Sequence, residues 1–297
     1  MNRDEYFKRA KGILKPDALR DSTIAIVGLG SGGGRIVEES VRWGIKRMLL
    51  LDRPGERMEE HNVPRHVLGY SSLGRLKTEA LRDRLWDINP DCEVIAVSLD
   101  VSQDPEALYG IVRQCDLVFL CTDNEPSKHA VNDAVVRARI PMVFAAAFDG
   151  GCGGEVGRVM PGEACYACMA TYLRISSKLP APEEVTFDYS NPNNPDLNST
   201  SALNMDIAQI ALLQARVGLI TLLELAGQPN IGQLEGNYLI FGNRAVEGVF
   251  PRMLHSEFWT IKRNPSCMVC QGAGVDDEAI AQEAAAILAG ATAADAE

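Results

Sequence analysis

Two Cys-x-x-Cys pairs, Cys165/Cys168 and Cys267/Cys270, and the glycine-rich run Gly28-Leu29-Gly30-Ser31-Gly32-Gly33-Gly34 are the parts of this chain whose types and spacing point to chemistry. Two thiol pairs about a hundred residues apart read as the four ligands of one closed metal site that ties distant segments together. Four thiolates leave no open coordination position, so the metal's role is structural. Redox dithiols are the competing reading, but those stand at a helix start beside a βαβ core and do not come as distant partners. The glycines fit G-x-G-x-x-G at Gly28, Gly30 and Gly33, where backbone without side chains can approach a phosphate or ribose. Asp52 follows 22 residues beyond Gly30, at the end of the next apolar run, in the place of a ribose-binding acid. The fingerprint alone leaves NAD, FAD and ATP open.

The segment His61-Asn62-Val63-Pro64-Arg65, followed by Gly74-Arg75-Leu76-Lys77, discriminates among them. A dehydrogenase has no general need for Asn62, Arg65 and Lys77 just after the ribose acid, whereas an enzyme that handles a triphosphate needs several such donors. Cys121-Thr122-Asp123-Asn124 then brings Asp123 and Asn124 to the carboxyl edge of a strand, where open α/β sheets bind ligands. Asp123 there can hold magnesium, or cap the helix that follows.

The elements that must position these groups are legible in the apolar pattern. TIAIVG (23 to 28) reads as a strand, tight turn and helix, and MLLLD (48 to 52), EVIAVSL (93 to 99), DLVFLCT (116 to 122) and PMVFAAAF (141 to 148) as further strands with helices between them. Alternation of this kind predicts an α/β, Rossmann-like fold with a parallel amino-terminal half covered on both faces. After Gly150 the pattern changes to an antiparallel strand in GGCGGEVGRVM, a Pro-, Asn- and Ser-rich crossover loop (169 to 203), a long helix from about Leu203 to Ala226, and strands near NYLIFG, AVEGVF and EFWTIK. One domain over residues 1 to 275, with an acidic, Ala-rich tail over 276 to 297 that is flexible or helical, accounts for the chain.

Composition narrows the function classes. A chain of 297 residues, 46% hydrophobic and 23% charged, can bury a sizeable core. A net charge of -11 without clustered Lys and Arg argues against nucleic acid and anionic membranes as partners. The charged start MNRDEYFKRAKGILK lacks the apolar core of a secretory signal, and the greasy stretch Ile207 to Leu225 carries Gln209, Gln214, Arg216 and Glu224, so a cytoplasmic protein with a buried amphipathic helix is expected. Cys92, Cys115, Cys121 and Cys152 are scattered and read as core residues.

The ordered set VGLGSGGGR, LLLD, HNVPR, GRLK, CTDN, CYAC and PSCMVC resembles the ubiquitin-activating-enzyme-like adenylyltransferases, the ThiF/MoeB/HesA family, over nearly the whole chain. The resemblance implies that Asp52 holds the ATP ribose, that Asn62, Arg65 and Lys77 contact its phosphates, that Asp123 coordinates magnesium, and that the four thiolates bind structural zinc in a mixed sheet whose antiparallel carboxyl-terminal strands they staple. Tyr6-Phe7-Lys8-Arg9 is similar to the family's Tyr-x-x-Arg element, which makes Arg9 a candidate to enter a partner subunit's ATP site in a homodimer. The implied reaction is attack of the C-terminal glycine carboxylate of a ubiquitin-like or sulfur-carrier protein on the α-phosphorus of ATP, ahead of a downstream conjugating enzyme or sulfur donor.

Two departures stand out. His66 occupies the place of a common Gln, and a lone His in such a loop reads first as a local hydrogen-bonding residue. Between Met169 and Cys267 there is no Cys to accept the acyl group, which leaves release of the adenylate, or transfer to Ser199, Thr200 or Ser201. An NAD-dependent oxidoreductase and a non-catalytic nucleotide-binding scaffold are the rival functions.

Overall fold

The structure is a computed structural model and describes residues 1–15, 17–176, 202–228 and 231–271. A short helix, α1 (Arg3–Tyr6), precedes β1 (Thr23–Val27), α2 (Ser31–Ser40), β2 (Arg47–Asp52), α3 (Lys77–Ile88), β3 (Glu93–Ser98), α4 (Pro105–Val112), β4 (Leu117–Leu120), α5 (Glu125–Ala138) and β5 (Met142–Ala147). Then come β6 (Gly153–Val159), α6 (Tyr166–Ser176), α7 (Asn204–Leu225), β7 (Tyr238–Gly242) and β8 (His255–Trp259). The strands form one eight-stranded sheet in the order β3-β2-β1-β4-β5-β6-β7-β8. Neighbours from β3 to β5 are parallel, and β5/β6, β6/β7 and β7/β8 are antiparallel, as the mixed-sheet expectation requires.

The inner strands are apolar without interruption because both of their faces are covered. Ala25 and Val27 of β1 and Leu49 and Leu51 of β2 enter one core with Leu108 of α4 and Val131 of α5. Ile24 and Ile26, with Met48 and Leu50, enter the opposite core with Ile36 of α2, Leu81 of α3 and Leu222 of α7. Helix α7 is long and apolar enough to span a bilayer by composition, yet it lies across β4, β5 and β6 beside α2. At Gly218 it approaches the sheet so closely that a Cβ there would stand 2.2 Å from the Phe119 ring. Gln214, on the same buried face, donates to the carbonyls of Leu120 (3.1 Å) and Val143 (2.9 Å), joining the last residue of β4 to β5.

Three sequence expectations require correction. AVEGVF does not form a strand: Gly248 takes φ +75° and the chain turns back so that only Val246 and Phe250 pair. The loop expected from residue 169 begins as helix, because α6 continues to Ser176; residues 177–201, with Ser199, Thr200 and Ser201, lie outside the described residues, as does the tail. The last strand sits at His255–Trp259, two residues earlier than EFWTIK suggests.

Candidate active site

The chain runs outward from β1 to β2 and β3, then returns to place β4 on the other side of β1, and this reversal opens a crevice at the carboxyl ends of the strands. A cavity of about 620 Å³ lies there. Its walls bring together Gly28, Gly30, Asp52, Asn62, Arg65, Lys77, Asp123 and Asn124, residues drawn from three separate β-to-α connections.

The glycine loop is held by close packing. Gly28 has φ +91°, and a Cβ on it would lie 2.8 Å from the Cys121 carbonyl oxygen. Gly33 does not line the cavity; a Cβ on it would fall 2.0 Å from the Gly28 carbonyl oxygen, so its absence lets α2 start directly against the strand. Gly30, the N-cap of α2, has open space where its side chain would be and faces the cavity with Ser31 and Gly32. The unpaired N–H groups of a helix N-terminus thus border the crevice.

Asp52 closes β2 and accepts hydrogen bonds from the backbone N–H of Leu29 (3.3 Å) and of Arg53 (2.9 Å). Burial pushes its carboxyl above the ordinary range despite these donors and nearby Lys77. The structure therefore spends stability to keep a carboxylate beside the glycine loop. Leu99 and Val101, just past β3, form an apolar wall on the same side.

Asn62 is fixed by its amide oxygen, which accepts from the Glu59 N–H at 3.0 Å and leaves the amide NH2 for a ligand. Arg65 lines the cavity. His66 is only 7% exposed: Leu68 N–H donates to its Nδ1 at 3.0 Å, so its Nε2 carries the proton and donates to the Leu29 carbonyl at 2.9 Å. Burial lowers its pKa, and the neutral ring clips the HNVPRH loop to the glycine loop. His66 is the local hydrogen-bonding residue its setting suggests.

Lys77, the first residue of α3, has its ammonium 2.9 Å from the Glu56 carboxylate. Asp123 stands on the loop before α5, and it is Asn124 that caps the helix, accepting from the Ser127 N–H at 3.0 Å. The cap leaves the Asp123 carboxylate facing the cavity without a duty to the helix. Glu56, Lys128, Leu99 and Val101 also line the cavity and were not picked out from sequence. Glu56 and Lys128 carry no spacing signal, whereas apolar residues just past a strand end were an available one.

Arg9 is exposed and outside the cavity wall. Among cysteines near the site, Cys121 has its thiol pushed up to about 12 by burial, and Cys152 is buried with its thiol also raised. Both are core residues rather than nucleophiles at neutral pH.

The thiol pairs converge where the start of α6, which packs on α5, meets the segment after β8. Cys165 lies 3.8 Å from Cys168 and 3.7 Å from Cys267, and Cys168 lies 3.7 Å from Cys270. All four sulfurs fall within 4.8 Å of one another. A tetrahedron of thiolates about 2.3 Å from a central zinc has edges of about 3.8 Å, so the donor set fits that metal in kind and in size. The Asn264 N–H donates to Cys168 Sγ at 3.4 Å and Arg263 Nε to Cys270 Sγ at 3.2 Å, donors that offset thiolate charge.

Comparison with known proteins agrees with this architecture. The chain is 28% identical over 273 residues to the sulfur carrier protein adenylyltransferase of Thermus thermophilus, covering 90% of this chain and 89% of that one. It is 27% identical to ubiquitin-like modifier-activating enzyme 5 of Caenorhabditis briggsae over 86% of this chain, and spans 56% of that protein's length. With the molybdopterin-synthase adenylyltransferase of Escherichia coli it shares 31% identity over 52% of its length, spanning 61% of that relative. The crystal structure of E. coli MccB superposes with a TM-score of 0.67 at 20% identity, over 93% of this chain and 75% of that one, a likeness of fold. Residues 6–256 match the ThiF family, and the chain belongs to it.

Proposed function

We propose that the chain is an ATP-dependent adenylyltransferase that activates the C-terminal carboxylate of a ubiquitin-like or sulfur-carrier protein. The observation that carries this reading is the convergence of Gly30, Asp52, Asn62, Arg65, Lys77 and Asp123 on one cavity at the strand ends. The names of its relatives, adenylyltransferases of sulfur carriers and of ubiquitin-like modifiers, point the same way.

In this reading Asp52 accepts from the ribose hydroxyls, with Leu99 and Val101 beside the base. The α2 N-terminus, Asn62, Arg65 and Lys77 hold the phosphate oxygens, and Asp123, seconded by Asn124, would hold a magnesium ion that neutralises phosphate charge when bound. An oxygen of the partner's carboxylate forms a bond to the α-phosphorus as the bond to the bridging oxygen breaks, giving an acyl adenylate and pyrophosphate. No general base is needed, because the attacking carboxylate is already ionised. The site's work is orientation and charge neutralisation. Cys165, Cys168, Cys267 and Cys270 would hold a zinc ion that cross-links α6 to the segment after β8 and stays out of the reaction. Arg9, exposed and outside its own cavity's wall, serves the site of a second copy in a homodimer.

Pyrophosphate exchange into ATP tests the reading. Exchange should require a candidate partner protein with an intact terminal glycine and should be lost in Asp123→Ala. Absence of exchange with every carrier of the same genome, together with tight NAD binding, would favour an oxidoreductase instead.

A further inference from the structure

The described cations that line the cavity are Arg53, Arg65, Lys77 and Lys128, against the carboxylates Asp52, Glu56 and Asp123. Glu56 is singular among these carboxylates because it faces two of the cations: its carboxylate lies 2.9 Å from Lys77 Nζ and 2.6 Å from Arg53. The Lys77 side chain is 12% exposed and that of Glu56 26%, so the pair is largely shielded from water. Backbone geometry fixes their spacing. Lys77 N–H donates to the Glu56 carbonyl at 3.0 Å, Met58 N–H to the Arg75 carbonyl and Gly74 N–H to the Met58 carbonyl at 2.9 Å each, which clamps the loop after β2 to the entry of α3.

We propose that Glu56 is a positioning residue that orders Lys77 before nucleotide arrives and limits how tightly the pyrophosphate leaving group is held. The inference rests on the nucleotide reading of the cavity. An ammonium has three donors, so one hydrogen bond to Glu56 leaves two for phosphate oxygens, and Lys77 is shared rather than surrendered. The carboxylate adds a fixed negative charge beside the phosphates in every bound state. By offsetting part of the charge that Lys77 presents to them, it weakens ground-state and product binding while the lysine's aim is kept. Interactions that bind pyrophosphate too well would slow its departure, and a carboxylate partner on the phosphate-binding lysine counters that.

Titration calorimetry with magnesium pyrophosphate and with magnesium ATP, on wild type, Glu56→Gln, Lys77→Met and the double variant, tests this without knowledge of the acyl partner. Glutamine keeps the hydrogen bond and removes the charge, so Glu56→Gln should bind pyrophosphate roughly five- to tenfold more tightly. That gain should vanish in the double variant, because it acts through Lys77. Glu56→Asp, which keeps the charge, should stay within about twofold of wild type, with thermal unfolding as the check on folding. Unchanged or weaker pyrophosphate binding in a folded Glu56→Gln overturns the inference, as does a gain that persists without Lys77. Failure of wild type to bind ATP or pyrophosphate at all would instead sink the nucleotide reading, a distinct result.

Discussion

The parallel and antiparallel halves of the sheet put their polar groups to different uses. Both halves pack into the same two cores, but the polar groups Asp52, Asp123 and Asn124 at the carboxyl ends of the parallel strands face the cavity. Asp52 is kept ionisable against the cost of its burial, and Asp123 is left out of the cap beside it. From β6 onward, polar groups pair with one another. Asn237 donates to the Ile261 carbonyl and accepts from the Ile261 N–H, both at 2.8 Å, and Arg158 on β6 pairs with Glu224 on α7 at 2.6 Å. The sulfurs of Cys165, Cys168, Cys267 and Cys270 then bring the start of α6 and the segment after β8 within 4.8 Å of each other. Polar groups in the parallel half are thus turned toward the cavity, whereas those of the antiparallel half are turned toward one another.

The largest expected effect breaks the antiparallel half. Cys165→Ser with Cys267→Ser, or removal of metal by a strong chelator, should cost more than about 3 kcal/mol of stability, seen as a fall in melting temperature that tracks loss of one zinc per chain. Next, two glycines separate packing from ligand approach. Gly33→Ala drives a Cβ into the Gly28 carbonyl and should cost roughly 2–4 kcal/mol, whereas Gly30→Ala, with open space around it, should stay within about 1 kcal/mol while nucleotide affinity drops. Equal unfolding curves for the two variants would contradict the division between them.

Asp52→Asn sharpens the claim that the parallel half pays stability for its site. Loss of the charge that receives ribose hydroxyls should weaken ATP binding by about 1.5–3 kcal/mol, while the ligand-free protein melts no lower than wild type, because a desolvated carboxylate has been removed. The smallest effect concerns His66, whose folded pKa is depressed by burial. Its neutral form is favoured in the fold, so its stability contribution is full above the ordinary value of about 6.5 and declines as pH falls from there toward the folded pKa. Unfolding curves at a series of pH values should show that decline, and His66→Gln should flatten it.

Much of the site was legible because its residues follow fixed offsets from strand ends. Gly28, Asp52 and Asp123 each come at the carboxyl end of an apolar run, and parallel strands bring those ends to one edge. The thiol pairs were legible for a different reason, since two Cys-x-x-Cys motifs have few ways to be satisfied apart. What sequence did not reveal depends on neighbours from elsewhere in the chain. Glu56 matters only because Lys77 stands opposite it across a loop clamp, and His66 is neutral only because Leu29 and Leu68 surround its ring. AVEGVF has strand-forming residues, but Gly248 turns it into a closed loop.

The most direct test of the central claim is intact-mass spectrometry of a glycine-tailed carrier protein after incubation with the chain, ATP and magnesium under rapid quench. The account predicts a carrier bearing AMP on its terminal carboxylate, formed by wild type and by Cys121→Ser, and absent with Asp123→Ala. A carrier that stays unmodified with every active preparation, or an adduct that forms equally well without Asp123, would contradict it.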